Sequence, residues 1–371
     1  MVYNENRSQL KSPVMKNLYS CICLLAALIL PTLVFAQASE DWTRVNLSVT
    51  DNHVIPGYIS LENAAAGMAT AAQSFCRSPN AAGLEAFRNG FHNSMDAWQQ
   101  IQHIQFGPIT YFNWNFRIHY WPDEKGTGAR QLDDLIDSMN SDSLATDNFA
   151  RESVGVQGFP ALERLLFDDE SLLAFREDNY RCQVAQAIAL NISDIASGVS
   201  QRWRDEFRTT IENADERGFF ESAEDATIDF LKAQIEPVRR IQQQKVEEVI
   251  GDSAARARIR RAESWRSNRS QRNLRLNVLA LENLFSGNEG QAVALGAVLM
   301  PEDRTLISEA FLTLKMRLEA APDSIEEALD ADYGYARLQQ IAAGLDDLFE
   351  AFEAGLKNTD LYLGFNSLDG D

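Results

Sequence analysis

The sequence contains little histidine and little cysteine, with four residues of each among 371. It has no His-Glu-x-x-His motif and no closely spaced Cys/His cluster, so the strong sequence signals for a zinc protease or a structural zinc site are absent. It also has no Gly-x-Ser-x-Gly motif, the usual signal for a serine hydrolase. Acidic residues outnumber basic ones 54 to 34, and the net charge of -20 argues against a nucleic-acid-binding protein.

Long apolar runs are nearly absent as well. A single run, residues 21–35, follows the charged segment Met15-Lys16-Asn17 and ends beside Ala36, where small residues suit a cleavage site. The run is too short to span a bilayer comfortably, so we predict a cleavable signal peptide over residues 1–36. Neither Cys21 nor Cys23 has the small-residue pattern that precedes a lipid-modified cysteine. The expected mature protein is periplasmic, is not a lipoprotein and has no transmembrane segment.

Cleavage after residue 36 would leave two cysteines, Cys76 and Cys182. Each lies on or near a predicted helix, and neither resembles the activated thiol of a cysteine enzyme. In an oxidising compartment, two isolated cysteines predict a structural disulfide rather than a reactive or metal-binding pair.

Alternating, strand-like patterns are scarce, whereas apolar residues repeat at intervals of three and four along most of the chain. This period predicts a nearly all-α fold. A boundary near Gly218 divides the chain into an N-terminal bundle, residues 37–217, and a C-terminal bundle, residues 218–371, each with about four principal helices joined by short loops. The predicted helices cover residues 56–75, 81–105, 129–139, a short segment from 160, 171–212, 224–250, 254–285, 301–320 and 333–356.

One short motif, Gly158-Phe159-Pro160-Ala161-Leu162-Glu163, has the chemistry of a helix start. Gly158 can make a tight turn, and Pro160 suits the first helical position because its missing N–H costs nothing there. Glu163 would then lie in the first turn, where the helix dipole favours a carboxylate by about 0.3–1 kcal/mol. The motif is either only a helix start or, in addition, part of a functional cleft.

The most unusual local composition is the arginine segment, residues 256–275, which holds eight arginines in an acidic chain. If the segment is helical, one stripe of it presents guanidinium groups able to hold carboxylates or phosphates in bidentate pairs, and an indole able to stack on a ring. Either the stripe binds an anionic ligand, or its arginines pair with acids of the first bundle and fix the angle between the bundles. The stripe consists of Arg258, Arg261, Trp265, Arg269 and Arg272.

The sequence resembles the imelysin family in four features. These are the 158–163 motif, the segment Trp121-Pro122-Asp123, the helical pattern and the ending from Leu363 to Asp371. The resemblance implies two duplicated bundles resembling four-helix bundles, with a functional surface between them. It also implies a Gly-x-His-x-x-Glu motif, proposed in that family to bind metal in a peptidase. Here the histidine position holds Pro160, which has no lone pair for a metal.

Candidate site residues follow from these patterns. A ligand cleft between the bundles is expected to use the motif, an aromatic-rich segment at residues 111–122 and the arginine segment. His92 and Asp96 are four residues apart on one helical face, and with Glu163 from another helix they offer nitrogen and oxygen ligands for iron or zinc. The alternative is a simple hydrogen bond from His92 to Asp96 or to water. The cleft candidates are Gly158, Phe159, Pro160, Glu163, Asp96, Trp98, Trp121, Arg261, Trp265 and Arg269.

Two function classes follow. The first is a periplasmic binding or accessory protein, which the resemblance links to the uptake of iron, haem or a ferric chelate. Its expected partners are a small anionic ligand or iron species and an envelope protein. The second is a metal-dependent peptidase of the imelysin type, against which Pro160 argues because a metal-activated water needs a bound metal. No catalytic residue is assigned, and a structural envelope role is a third alternative.

Overall fold

The computed structural model describes residues 41–215, 217–288, 291, 293–322, 324–359 and 361–363. The predicted signal peptide and the C-terminal ending after Leu363 lie outside the described residues. Within these ranges all regular structure is helical and no residue is in a β-strand, which confirms the all-α prediction.

The first half of the chain begins with helical residues 41–49 and a π-helical turn, Thr50–Val54. Its α-helices are α1 (Ile55–Arg77), α2 (Ala81–Gln99), α3 (Trp114–Ile118), α4 (Thr127–Ser138), α5 (Thr146–Phe149), α6 (Phe159–Phe167), α7 (Ser171–Glu177), α8 (Asn179–Arg202) and α9 (Arg208–Glu212). Helix α1 packs against both α2 and α8, and α6 packs against α2 and α8.

The second half contains fewer and longer helices. They are α10 (Ala223–Arg240), α11 (Glu248–Ile250), α12 (Ser270–Ser286), α13 (Pro301–Glu319), α14 (Ile325–Asp330) and α15 (Gly334–Lys357). Helix α15 packs against α13 and α10, and α12 packs against α13. Helix α12 also contacts α2, which joins the two halves.

Two clusters of buried apolar side chains form the interior. The first is built mainly from residues 45–231, and the second from residues 235–352. The clusters meet inside α10, where Phe230 and Leu231 belong to the first and Ile235 and Val238 to the second. The domain division at residues 217 and 218 stays a prediction, because one continuous helix contributes to both cores.

Several helix starts have a local chemical cause. The side chain of Asn80 accepts a hydrogen bond from Gly83 N at 3.0 Å before α2, and Ser222 does the same for Asp225 N at 3.1 Å before α10. These side chains satisfy amides that have no partner in the first helical turn. Pro301 begins α13, where its missing N–H costs nothing.

Two long predicted helices are wrong. The one at residues 171–212 is interrupted, because Asp178 leaves the helical conformation and caps α8 by accepting from Tyr180 N at 2.8 Å. The one at residues 254–285 begins only at Ser270, and residues 254–269 form two 3₁₀ turns and a loop. In both cases, hydrogen bonds from side chains replace backbone hydrogen bonds of the helix. The spacing of apolar residues does not reveal these side-chain contacts.

The disulfide prediction is confirmed. Cys76 at the end of α1 is bonded to Cys182 in α8 and closes a loop with a sequence separation of 106 residues. Within the described residues, no helix is both long enough and apolar enough to cross a membrane.

Candidate functional site

A cavity of about 500 Å³ lies between the two halves of the chain. The first half contributes the loop at residues 120–126, helix α4 and the start of α6. The second half contributes Gln244, Glu248 and the loop at residues 260–266. Five of the predicted cleft residues line it: Trp121, Pro160, Glu163, Arg261 and Trp265.

Gly158 positions the 158–163 motif by allowing two backbone segments to approach. Its φ of -120° and ψ of -169° are extended, and the chain bends at this residue as it enters α6, so the turn does not require a left-handed conformation. A Cβ atom at this position would lie 2.4 Å from the carbonyl oxygen of Ile118 and 2.6 Å from that of Arg117. Only glycine leaves room for this contact, which holds α6 against the end of α3. Pro160 is then the second residue of α6, not the first.

Glu163 is a buried carboxylate and not the predicted first-turn acid. It is the fifth residue of α6 and is 5% exposed. Its Oε1 accepts hydrogen bonds from the amide of Ser267 at 2.9 Å and from the hydroxyl of Ser267 at 2.6 Å. Burial raises the pKa of Glu163, and the bonds from Ser267 partly oppose that rise. Glu163 therefore attaches α6 to the arginine segment.

The loop at residues 262–269 is shaped by contacts with the first half. Ser264 and Asn268 both have a φ of 54°, a left-handed conformation that interrupts any helix. Besides the Glu163 contact, Arg266 Nε lies 2.7 Å from Asp168 Oδ1. These contacts explain why the predicted helix at 254–269 does not form: the polar groups of the loop are satisfied across the interface instead.

The predicted arginine stripe is divided between two environments. Arg261 and Trp265 line the cavity, whereas Arg269 is 2% exposed and contacts His92 Nδ1 at 3.0 Å. Arg269 also forms an ion pair with Asp96, whose Oδ1 accepts from Arg272 Nε at 2.9 Å. Arg269 and Arg272 therefore pair with an acid of the first half, as one of the two alternatives for the stripe expected. Asp96 is a partner of these arginines and does not line the cavity.

The structure does not bring His92, Asp96 and Glu163 together as a ligand set. Burial and the neighbouring Arg269 lower the pKa of His92 to about 4. Partial burial opposes ionisation of Asp96, but hydrogen bonds from Arg272 and Arg269 lower its pKa. No group of three His, Cys, Asp or Glu side chains in the described part of the chain is arranged to hold a metal ion.

The other histidines are also engaged. His53 and His103 face each other with their Nε2 atoms 2.8 Å apart, and burial lowers the pKa of both. His119 lies 3.4 Å from Glu263 Oε1. Since proline replaces the motif histidine and Glu163 Oε1 is occupied by Ser267, the residues at the motif do not fit a bound metal ion.

The remaining predicted cleft residues belong to the interior. Phe159 is fully buried in the first core, and Trp98 is 2% exposed in the same core. Neither lines the cavity, so of the predicted tryptophans only Trp121 and Trp265 face it.

A buried polar network between the halves was not predicted. Lys245 Nζ donates to Glu263 Oε2 at 2.8 Å, to Asn277 Oδ1 at 2.8 Å and to Gln99 Oε1 at 3.1 Å. Asn273 donates to the same Glu263 oxygen at 2.8 Å. Burial lowers the pKa of Lys245; burial also opposes ionisation of Glu263, but Lys245 and His119 lower the pKa of Glu263. Gln244, Ala262 and Ser264 line the cavity, and they are the chain neighbours of Lys245 and Glu263. The network therefore lies next to the cavity wall.

A sequence signal for this network existed at Lys245. Val238, Ile241, Lys245 and Val249 are spaced at three and four residues and are all buried, so the lysine interrupts an apolar stripe. A charged residue in that position requires buried partners. No comparable pattern marks Glu263, which lies in a loop.

Comparisons with known proteins agree with this architecture. The chain is 23% identical over 316 residues, 81% of this chain and 82% of the relative, to iron-regulated protein A of Synechococcus elongatus (strain ATCC 33912 / PCC 7942 / FACHB-805). It resembles the crystal structure of an imelysin-like protein from Psychrobacter arcticum 273-4, with a TM-score of 0.71, 19% identity and coverage of 88% of this chain and 98% of that one.

A second solved structure, described as an iron-regulated protein A precursor from Parabacteroides distasonis ATCC 8503, has a TM-score of 0.72 and 14% identity, with coverage of 85% of this chain and 95% of that one. These two similarities show the fold. The family model for imelysin, a peptidase family by its designation, matches residues 54–352, which is most of the sequence. The chain therefore belongs to the imelysin family.

Proposed function

We propose that this protein is a periplasmic binding or accessory protein linked to iron uptake, and that its ligand occupies the cavity between the two halves. The observation that carries the proposal is the position of the motif: Pro160 and Glu163 face the same cavity as Arg261 and Trp265. Clefts where two halves of a protein meet are common ligand sites. The link to iron is supported by relatives described as iron-regulated protein A.

The peptidase alternative has weaker support from the residues present. A metallopeptidase needs a metal-bound water held by protein ligands. Here Pro160 replaces the motif histidine, and all four histidines contact other side chains, among them Arg269 and Glu263. The arrangement therefore favours binding without turnover.

The proposal can be tested by filling the cavity. Ala129 on α4 lines it, and Ala129→Trp would place an indole in the ligand space. Asp134→Trp is the matched control, because Asp134 is exposed on the same helix and does not line the cavity. Both variants are expressed in cells that lack the native gene, and cellular iron is measured by elemental analysis during iron limitation.

We expect Ala129→Trp to leave cellular iron at the level of the deletion strain, whereas Asp134→Trp restores it. Equal protein amounts and similar melting temperatures would establish that both variants fold. Full restoration by a folded Ala129→Trp variant would contradict the proposal. Chelator-sensitive cleavage of peptides by the purified protein would instead support the peptidase alternative.

A further inference from the structure

Three arginines of the cavity make no direct contact with a carboxylate among the described residues. Within the described residues, Arg164, Arg260 and Arg261 form no ion pair, although acidic residues exceed basic ones by 20 in the sequence. Arg164 is half-buried, and burial together with the charge of Arg266 lowers its pKa. The charges of Asp168, Asp133 and Asp123 oppose part of that lowering, but none of these carboxylates forms a direct ion pair with Arg164 among the described residues. A partly buried guanidinium without such a direct partner is unfavourable, and an anion in the cavity would relieve that cost.

The carboxylates in the cavity lining are largely committed to other contacts. Asp123 accepts from Thr127 N at 2.8 Å and Gly128 N at 2.9 Å and so caps α4. Glu163 Oε1 is held by Ser267. Two lining acids, Glu124 and Glu248, are exposed to solvent, where water screens their charge. Among the described residues, no lining carboxylate is therefore in direct contact with Arg164, Arg260 or Arg261, although the charge of Asp123 acts on Arg164 from a greater distance.

Trp265 orients guanidinium groups instead of offering an open ring. The guanidinium carbon of Arg266 lies 4.3 Å from the centre of the Trp265 ring, and that of Arg260 lies 5.7 Å from it. Such contacts hold an arginine over an aromatic face and restrict its rotamers. A porphyrin or sugar ring would have to displace them to stack there. The arrangement favours a ligand recognised by its charges over one recognised by a flat surface.

We propose that the cavity binds a small anion with two or three carboxylate groups, and that Arg164, Arg260 and Arg261 hold these groups. The proposal rests on the proposed function, in which this cavity is a ligand site. Guanidinium and carboxylate groups pair in bidentate geometry, so three arginines suit several carboxylates on one small molecule. Glu163 Oε2 has no hydrogen-bond partner among the described residues and is available to a hydroxyl group of the ligand.

Calorimetric titration of the purified protein tests this ligand class. The probes are metal-free citrate, ferric citrate, tricarballylate, which lacks the hydroxyl group, and acetate. The variants are Arg164→Gln and Arg261→Gln. The matched control is Arg256→Gln, which makes the same charge change at an exposed arginine of the same segment that pairs with Asp252 outside the cavity.

We expect citrate to bind, acetate to bind at least about tenfold more weakly, and both cavity variants to lose about tenfold or more in citrate affinity. Arg256→Gln should bind as the wild type does, and tricarballylate should bind more weakly than citrate. Binding of both citrate forms would identify the free polycarboxylate as sufficient, whereas binding of ferric citrate alone would identify the metal chelate as the source of the carboxylates.

The inference is overturned if neither citrate form binds, or if Arg164→Gln and Arg261→Gln bind citrate as tightly as the wild type. Because Arg261 is exposed, its replacement tests the site even if Arg164→Gln does not fold. These outcomes are separate from those of the cavity-filling experiment. If iron accumulation requires an open cavity but the protein binds no polycarboxylate, the proposed function stands. Only the proposed ligand class is then contradicted.

Discussion

Glu163 on α6 and Ser267 in the arginine segment are 104 residues apart in sequence, yet the carboxylate of the first accepts hydrogen bonds from both the amide and the hydroxyl of the second. This contact joins the 158–163 motif to the other wall of the cavity. It also leaves a carboxylate that is 5% exposed, at a position where burial raises its pKa. One of the contacts between the two halves therefore involves a carboxylate whose ionisation is opposed by burial.

The pKa of Glu163 predicts how stability depends on pH. At low pH both the folded and the unfolded chain hold the proton, so burial carries no ionisation penalty. As pH rises, the unfolded chain releases the proton first, and the free energy of unfolding falls until the pH exceeds the raised pKa of the folded state. Glu163→Gln removes this contribution. We expect the wild type to lose stability relative to this variant as pH rises from below the ordinary glutamate pKa of 4.5 toward neutral.

Thermal melting of both proteins across that pH range measures the difference. Glu309→Gln on α13 is the control, because Glu309 is exposed and does not line the cavity. A difference in melting temperature between wild type and Glu163→Gln that stays constant with pH would show that Glu163 is not buried as a raised-pKa acid.

The Lys245–Glu263 ion pair predicts a large cost for removing one partner. Lys245→Met leaves the Glu263 carboxylate buried without its main counter-charge, which typically costs about 3–5 kcal/mol of unfolding free energy. Lys315→Met is the control, because Lys315 pairs with Glu282 at 2.6 Å near the surface, where such pairs contribute about 0–1 kcal/mol. Urea unfolding of both variants gives the two values.

A second change distinguishes an unpaired charge from lost packing. If the cost of Lys245→Met comes from the isolated carboxylate, the double variant Lys245→Met, Glu263→Gln should recover part of the lost stability. Additive losses in the double variant would indicate instead that the packing of the lysine chain matters most.

Helices were predicted well from the sequence where an apolar stripe is continuous. They were predicted poorly where polar contacts determine the backbone conformation. Helices α1 and α13 follow their three-and-four apolar period, and both were expected nearly in place. Residues 254–269 were expected to extend α12, but their conformation depends on Asp168 and Glu163, which lie about a hundred residues earlier. Local pattern carries no information about such partners.

Only part of the candidate site was predicted, because the contacts of the other residues also depend on partners that are distant in sequence. Pro160, Glu163, Trp121, Arg261 and Trp265 face one cavity. The resemblance predicted a surface between bundles, but it did not predict that Arg269 pairs with Asp96 whereas Arg261 lines the cavity. Asp96 approaches Arg269 only because α2 packs against α12. Tertiary packing thus places Arg261 in the cavity wall and Arg269 in an internal ion pair.

Gly158 provides the sharpest test of how the motif is placed. Gly158→Ala would put a Cβ atom within 2.6 Å of two backbone oxygens, which cannot move independently of α3. Overpacking of this kind costs about 1–3 kcal/mol, and backbone atoms relax less easily than side chains. Gly67→Ala is the control, because no atom beyond its chain neighbours and the backbone of its own helix lies within 4 Å of a Cβ at that position in α1. Alanine is favoured over glycine there by about 0.5–1 kcal/mol.

We expect urea unfolding to show a loss of stability for Gly158→Ala and no loss, or a gain, for Gly67→Ala. Equal urea midpoints of unfolding for the two variants would show that the backbone around Ile118 can move to accommodate the methyl group. Gly158 would then have no steric role. If the loss is observed, α6 must shift to relieve the contact, and Pro160 and Glu163 shift with it because they lie on the same helix. Citrate affinity should then fall in Gly158→Ala even though the substituted residue does not line the cavity.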